Sequence, residues 1–355
     1  MLNERVNGSA VRLAIIGCGA VAELCHLPGA KLAPEIEIAA LVDKNLPRAQ
    51  YLGKKFGIGV WINDYRQLPG GVGGVIVGLP HHLHAPVTIE FLERGMPVLV
   101  EKPMALNLEE AEAMVRAANT NRVALQIGLM NRFCRGAQVV KRAIDENWLG
   151  RVRSFTVEWG FVYDWPVASG FFFSKEQAGG GVLIDLGSHV LDLLLWWLGD
   201  AAALEYKDDS LGGVETECRL SLVLHGPAGS VEGTVTLSRL RKLTNKARIV
   251  GDRFTVECDI DNPVAVRFWP TSSGSEDLVF GLDFDSLSRQ TLDDAYAEQL
   301  RAFARVITTG GNPAVPGESV LGSVALIDRC YRQRQPLELP WMRPAVTSRR
   351  ELLRA

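Results

Sequence analysis

The sequence has no C-x-x-C pair and no histidine at zinc-ligand spacing; its six cysteines stand apart at 18, 25, 134, 218, 258 and 330. A zinc ribbon or disulfide framework therefore has no support, and the thiols are expected to be reduced and packed in a cytoplasmic setting. Nor is positive charge in excess. The 38 Lys and Arg face 41 Asp and Glu, a net charge of -3, so nucleic acid is not an expected partner. No long apolar run is free of polar breaks: the best candidate, Val182 to Gly199, carries Asp185, His189 and Asp192, which argues against a membrane partner. The opening Met1-Leu2-Asn3-Glu4-Arg5 run is polar and leads to a strand without the apolar stretch of a secretion signal. Internal repeats and low-complexity tracts are missing too.

What is present is enough chain, at 355 residues, for two cores. From Val11 to about Met130, short apolar runs alternate with helical segments, the pattern of an α/β Rossmann domain with a doubly wound parallel sheet. Strands are predicted at Val11–Ile16, Ile36–Val42, Gly74–Gly78, Val98–Glu101 and Val123–Gly128, and a weaker one at 59–62. Helices are predicted at Ala85–Arg94 and at Leu108–Ala118, the latter capped by Asn107. Past Gly150 the pattern becomes short alternating strands at 152–158, 216–224, 230–237, 246–250 and 253–258. One long helix near 182–198 interrupts them, and two amphipathic helices at 292–309 and 317–334 close the chain. The expected division is a dinucleotide-binding domain at 1–130 and an α+β substrate and oligomerisation domain at 131–355, with a large, mostly antiparallel open sheet.

The first strand runs into Gly17-Cys18-Gly19-Ala20-Val21-Ala22, a G-x-G-x-x-A turn opening a helix. Gly17 permits a tight turn, Gly19 lets backbone N–H groups approach a pyrophosphate, and Ala22 permits close packing of helix on strand. Read by itself, the motif also fits a tight strand-to-helix turn with no ligand. Asp43 ends the second strand, where a carboxylate can accept hydrogen bonds from a ribose and repel a 2′-phosphate; NAD is favoured over NADP, while Lys44 and Arg48 leave NADP possible. Pro28 falls inside the first helix, which should kink or restart at 26–29.

Lys102, in Val98-Leu99-Val100-Glu101-Lys102-Pro103, lies at the carboxyl end of a buried strand, where open parallel sheets present their ligand sites. Its ammonium could hold the oxygen of a carbon being oxidised; equally, it could be a surface lysine beside a solvated glutamate. Asp185, His189 and Asp192 follow Gly179-Gly180-Gly181 and are expected on one face of a helix at i, i+4 and i+7. An imidazole oriented by a carboxylate is an acid–base unit, whereas a lone buried histidine is more often a satisfied core residue. His81, His82 and His84 form a further cluster without a completed ligand set, so no metal is expected. Finally, Phe161, Tyr163, Trp165 and Phe171 to Phe173 crowd one segment, either walling a pocket or packing a subunit contact; Tyr163 and Trp165 are the substrate-binding candidates.

Taken together, these motifs make the chain resemble the glucose-fructose oxidoreductase and inositol dehydrogenase family, Gfo/Idh/MocA. The likeness runs from Val11 to about Arg334 and rests on the dinucleotide turn, Glu101-Lys102-Pro103, and Gly180-Gly181-Val182-Leu183-Ile184-Asp185-x-Gly187-x-His189-x-x-Asp192 followed by Trp197-Leu198-Gly199. It implies an NAD(P)-dependent oxidoreductase acting on CH–OH groups of a sugar, cyclitol or nucleotide-linked sugar, and a homodimer or homotetramer through the carboxyl-terminal sheet. By the same resemblance Lys102 holds the reacting oxygen, His189 is the acid–base residue and Asp185 contacts substrate. Pro80, His81, His84 and Glu101 would lie along the cofactor, with Arg132 in Asn131-Arg132-Phe133 meeting an anionic part of the substrate. Many relatives have Asn where this chain has His81. Two alternatives remain: a redox relay that retains NAD for glycosidic cleavage or epimerisation, and a non-catalytic cofactor-binding regulator.

Overall fold

A computed structural model describes residues 10–166, 169–211, 213–226, 229–260, 266–273, 280–281 and 290–338. The Met1–Arg5 run and the end of the second predicted domain lie outside them. The first sheet comprises β1 (Val11–Ile16), β2 (Ile36–Val42), β3 (Trp61–Ile62), β4 (Gly74–Val77), β5 (Val98–Glu101) and β6 (Leu125–Gly128), all parallel, in the order 3-2-1-4-5-6. Alternation along β1 drives the layering: Leu13 and Ile15 enter one core, Ala14 and Ile16 the other. The order reverses between β1 and β4, so a crevice forms at their carboxyl ends.

The predicted domain boundary is crossed by the chain's own end. The helix Leu292–Thr309, opened by a Thr291–Asp294 capping box, returns to the first sheet and buries Leu300, Phe303 and Ala304 against Leu13 and Ile15. Gly74 has no side chain because one would meet Ile307 and Phe303, with a Cβ only 2.7 and 3.2 Å from their atoms.

The second sheet comprises β7 (Val152–Gly160), β8 (Asp200–Asp208), β9 (Glu217–Gly226), β10 (Gly229–Ser238), β11 (Lys246–Gly251), β12 (Phe254–Asp259), β13 (Val266–Pro270), β14 (Phe280–Gly281) and β15 (Gln335–Pro336), ordered 14-13-12-11-7-10-9-8-15. All its pairings are antiparallel except β7 with β10 and β8 with β15. One face packs on the helices Arg135–Asp145 and Ser188–Leu198. The opposite face exposes Ser154, Thr156, Arg219, Ser221, Glu232, Thr234 and Arg248.

Two helices depart from regular winding. At Ala22–His26 the first opens as a π-turn and restarts as Leu27–Lys31 with Pro28 in its first turn, which is how the predicted Pro28 conflict is resolved. The helix predicted over 182–198 likewise begins as a π-turn, Leu183–Gly187, before Ser188–Leu198 continues as α-helix. The wider turn breaks the i, i+4 register between Asp185 and His189.

Candidate functional site

The dinucleotide turn has the backbone that its glycines require. Gly17 sits at φ +103°, and a Cβ there would lie 2.3 Å from the Gly78 carbonyl oxygen; at Gly19 a Cβ would meet nothing within 4 Å, leaving room for a ligand. Ala20 and Val21 begin the helix, and Ala22 is wholly buried. Asp43 closes the turn: its Oδ2 accepts from the Cys18 N–H at 2.8 Å and its Oδ1 from the Asn45 N–H at 2.8 Å. Arg48 donates from Nε to the Cys18 carbonyl at 2.8 Å and pairs with Glu23 at 2.5 Å, while Lys44 is exposed. Burial pushes the Cys18 thiol up to about 12, aided by Asp43, so it is an inert filler of the turn.

Against this turn packs the loop that follows β4. Pro80 begins a short turn in which buried His81 bonds through Nδ1 to the Ala178 carbonyl at 2.8 Å, with Phe171 and Phe172 edge-on at 5.0 and 5.6 Å. Both ring nitrogens of His84 lie against carbonyl oxygens, Pro103 at 2.7 Å and Leu79 at 2.8 Å. These two histidines thus fasten the Rossmann loop to its surroundings. Glu101 is buried too, its Oε1 2.9 Å from His26 Nε2 and its Oε2 accepting from the Lys102 N–H at 3.2 Å.

Lys102 reaches the opposite way. Its Nζ donates to Asp185 Oδ1 at 2.6 Å and to the Asp185 carbonyl at 3.2 Å. On the other side of the same carboxylate, Arg239 Nη2 donates to Oδ2 at 2.5 Å. Burial alone would raise the Asp185 pKa; Lys102 and Arg239 reverse that and hold it well below the usual carboxylate range. His189 is buried, its Nδ1 without a partner among the described residues and its ring 5.9 Å from Trp159. Burial, with the Lys102 ammonium adding to it, pushes its pKa down to about 3, so the imidazole is neutral at working pH.

The expectation that Asp185 orients His189 is therefore corrected: no hydrogen bond joins them, and the Asp185 carboxylate, carried on the π-turn, is taken by two cations. Asp192 also turns elsewhere, taking a two-pronged bond from Arg132 at 2.8 and 2.6 Å. Arg132, expected to meet substrate, is thus engaged by Asp192 and by Ser319. Tyr163 does reach the Lys102 site, its ring 4.9 Å from the Arg239 guanidinium. Trp165 is half-buried and packs against the second core.

Three residues of the site carry no sequence motif. Arg239 follows β10, whose end lies beside that of β7 in parallel register at Ser238↔Gly160, so the two exits place Arg239 next to Tyr163. Buried Glu215 caps the helix carrying Asp185, accepting from the Leu183 N–H at 2.9 Å and from the Tyr331 hydroxyl at 2.9 Å. Gly181 is glycine because a Cβ would stand 1.9 Å from the Glu215 carbonyl oxygen. His26 backs Glu101.

Residues 11–129 match the profile of an oxidoreductase family with an NAD-binding Rossmann fold, and residues 137–257 match the GFO/IDH/MocA carboxyl-terminal domain. The chain is 30% identical to D-glucoside 3-dehydrogenase of Escherichia coli over 61% of this chain and 62% of that enzyme. It is 23% identical to inositol 2-dehydrogenase of Rhizobium meliloti over 91% and 96%. A putative UDP-kanosamine synthase oxidoreductase subunit of Amycolatopsis mediterranei is 32% identical over 54% of this chain, and the chain spans only 53% of that protein and 62% of the Escherichia coli enzyme. A solved structure of aldose-aldose oxidoreductase from Caulobacter crescentus shares the fold, with a TM-score of 0.79 at 24% identity, covering 91% of this chain and 97% of that one.

Proposed function

The chain belongs to the GFO/IDH/MocA oxidoreductase family, and from that premise we propose that it moves a hydride between NAD and a CH–OH carbon of a sugar, a cyclitol or a nucleotide-linked sugar. The observation that carries this reading is the Lys102 ammonium, pinned at 2.6 Å to a carboxylate that stays ionised, at the carboxyl end of the Rossmann strand beside β4. The names of the curated relatives, which act on a glucoside and on inositol, support the substrate class.

The residues fit NAD. The open face of Gly19 and the helix beginning at Ala20 suit a pyrophosphate, and Asp43 suits a ribose hydroxyl while opposing a 2′-phosphate. Arg48, already held by Cys18 and Glu23, is not free to neutralise such a phosphate, which favours NAD over NADP. When bound, NAD supplies the hydride acceptor or donor.

The chain's own residues do the remainder. Lys102 donates a hydrogen bond to the substrate oxygen and favours its alkoxide-like form; Asp185 fixes the ammonium and meets a neighbouring hydroxyl. Neutral His189 takes the proton in oxidation and returns it in reduction. Pro80, His81, His84 and Glu101 shape the cofactor side from behind, and Tyr163 with Trp165 walls the substrate side. On the same reading the protein works in the cytoplasm, where its six buried thiols stay reduced, as a homodimer or homotetramer through the open sheet.

A panel of sugars, cyclitols and nucleotide sugars followed by nicotinamide absorbance with both cofactors tests the proposal. Turnover of a polyol with net NADH formation is expected. Binding of NAD without turnover of any polyol would favour a regulator, and product formation without net cofactor change a redox relay.

A further inference from the structure

Among the described residues, two cations share the Asp185 carboxylate, Lys102 at 2.6 Å and Arg239 at 2.5 Å, while Glu101 faces His26 at 2.9 Å. The side chain of Arg239 is only 8% exposed and that of Lys102 20%, so water screens the surplus cation poorly.

The unpartnered polar atoms point the same way. Among the described residues, Arg239 Nε and the Tyr163 hydroxyl are buried without a hydrogen-bond partner, and the two side chains stack on each other at 4.9 Å. Burial raises the Tyr163 pKa, so its hydroxyl keeps its proton and can donate. A guanidinium only donates, and its complement is an acceptor. A neutral hydroxyl offers an acceptor but brings a proton that also needs a partner. An ionised oxygen group offers acceptors alone, with charge-assisted bonds about twice as strong as neutral ones. The arginine that the sequence offered for this task, Arg132, is already held by Asp192 at 2.6 Å.

We propose that Arg239, with Tyr163, makes this site select a polyol that carries an anionic oxygen group, either the carboxylate of a sugar acid or the phosphate of a phosphorylated or nucleotide-linked sugar. The inference rests on the oxidoreductase reading for its polyol and adds the charged substituent. Arg239 acts here as a specificity-determining residue; were it only a brace for Asp185, its loss would depress all substrates alike.

The test compares glucose and myo-inositol with gluconate, glucuronate, glucose 6-phosphate and UDP-glucose, as kcat/KM with NAD and as affinity for the NAD-loaded protein by calorimetry. At least one anionic class should exceed its neutral counterpart by about tenfold or more, and Arg239→Gln should reduce that ratio by about tenfold or more, with part recovered in Arg239→Lys. Carboxylates above phosphates, or the reverse, identifies the source of the anion. Equal or better use of neutral polyols overturns the proposal, as does a ratio unchanged in a folded Arg239→Gln protein. Calorimetry keeps the two readings separable. Tight binding of an anionic polyol without turnover upholds the anion site and sinks the dehydrogenase, whereas turnover confined to neutral sugars does the opposite.

Discussion

Asp185 and Asp192 sit at two levels of one buried helical segment, each held by an arginine, yet their surroundings push them in opposite directions. Asp192 is 2% exposed and burial raises its pKa, with Arg132 alone opposing. Burial acts on Asp185 in the same direction, but Lys102 and Arg239 together overcome it and hold it ionised. One additional cation separates a structural ion pair from an electrostatic platform. The Arg132–Asp192 pair ties the turn that follows β6 to the helix core, while the Lys102–Asp185–Arg239 cluster keeps a partly exposed ammonium in place at the crevice.

The contrast breaks most sharply at Lys102. Lys102→Met should lower turnover by ~10²- to 10³-fold, since a donor aimed at the reacting oxygen is lost, while NAD affinity measured by fluorescence changes little. Retention of more than a third of wild-type turnover would remove Lys102 from the chemistry. In stability the contrast breaks at Arg132→Met, which leaves Asp192 buried and unpaired and should cost about 3–5 kcal/mol in urea unfolding. The double substitution Arg132→Met with Asp192→Leu should recover most of that. A loss under about 1 kcal/mol would mean that the pair is not structural.

A more gradual effect appears with pH. The folded protein holds His189 at about 3, against 6.5 for a free imidazole, so between those values the unfolded chain binds the extra proton. Stability from this residue is thus complete above 6.5 and is lost as pH falls toward 3, by up to about 1.4 kcal/mol per pH unit. Buried His81, also held at about 3, adds to the same slope. His189→Gln should flatten the stability profile below pH 6.5 but not above it; an identical slope in the variant contradicts a neutral buried imidazole. Smallest is Asp43→Ser, expected to narrow the preference for NAD over NADP by about tenfold as like charge is removed. A wild-type protein that already prefers NADP by that margin would reverse the role given to Asp43.

Much of the first domain was legible because its signals are local. β1, β2 and β5 occupy the predicted residues, β4 ends one residue early at Val77, and Asn107 caps its helix as expected by accepting from the Glu110 N–H. The second domain was less so. Asp200–Asp208, with Ala at 201–203 followed by Leu204, Glu205 and Lys207, reads locally as a helix former but becomes β8 because β9 offers a full antiparallel ladder. In the site, Lys102 and Asp185 were visible as motif residues and do meet, across 83 positions of chain. Arg239 had no such signal: a lone arginine after a strand acquires its place only from the parallel pairing of β7 with β10. The missing hydrogen bond between Asp185 and His189 was hidden as well, since a π-turn leaves no periodicity to read.

The most direct test of the account is the turnover of His189→Ala on the best polyol, measured across the pH range beside NAD affinity. A fall of ~10²- to 10⁴-fold with NAD binding nearly unchanged is the expected result, because a positioned acid–base group acts on the substrate and not on the adenosine half. A variant within about threefold of the unaltered protein at every pH would contradict the assignment of proton transfer to this histidine, and with it the mechanism built on Lys102 and Asp185.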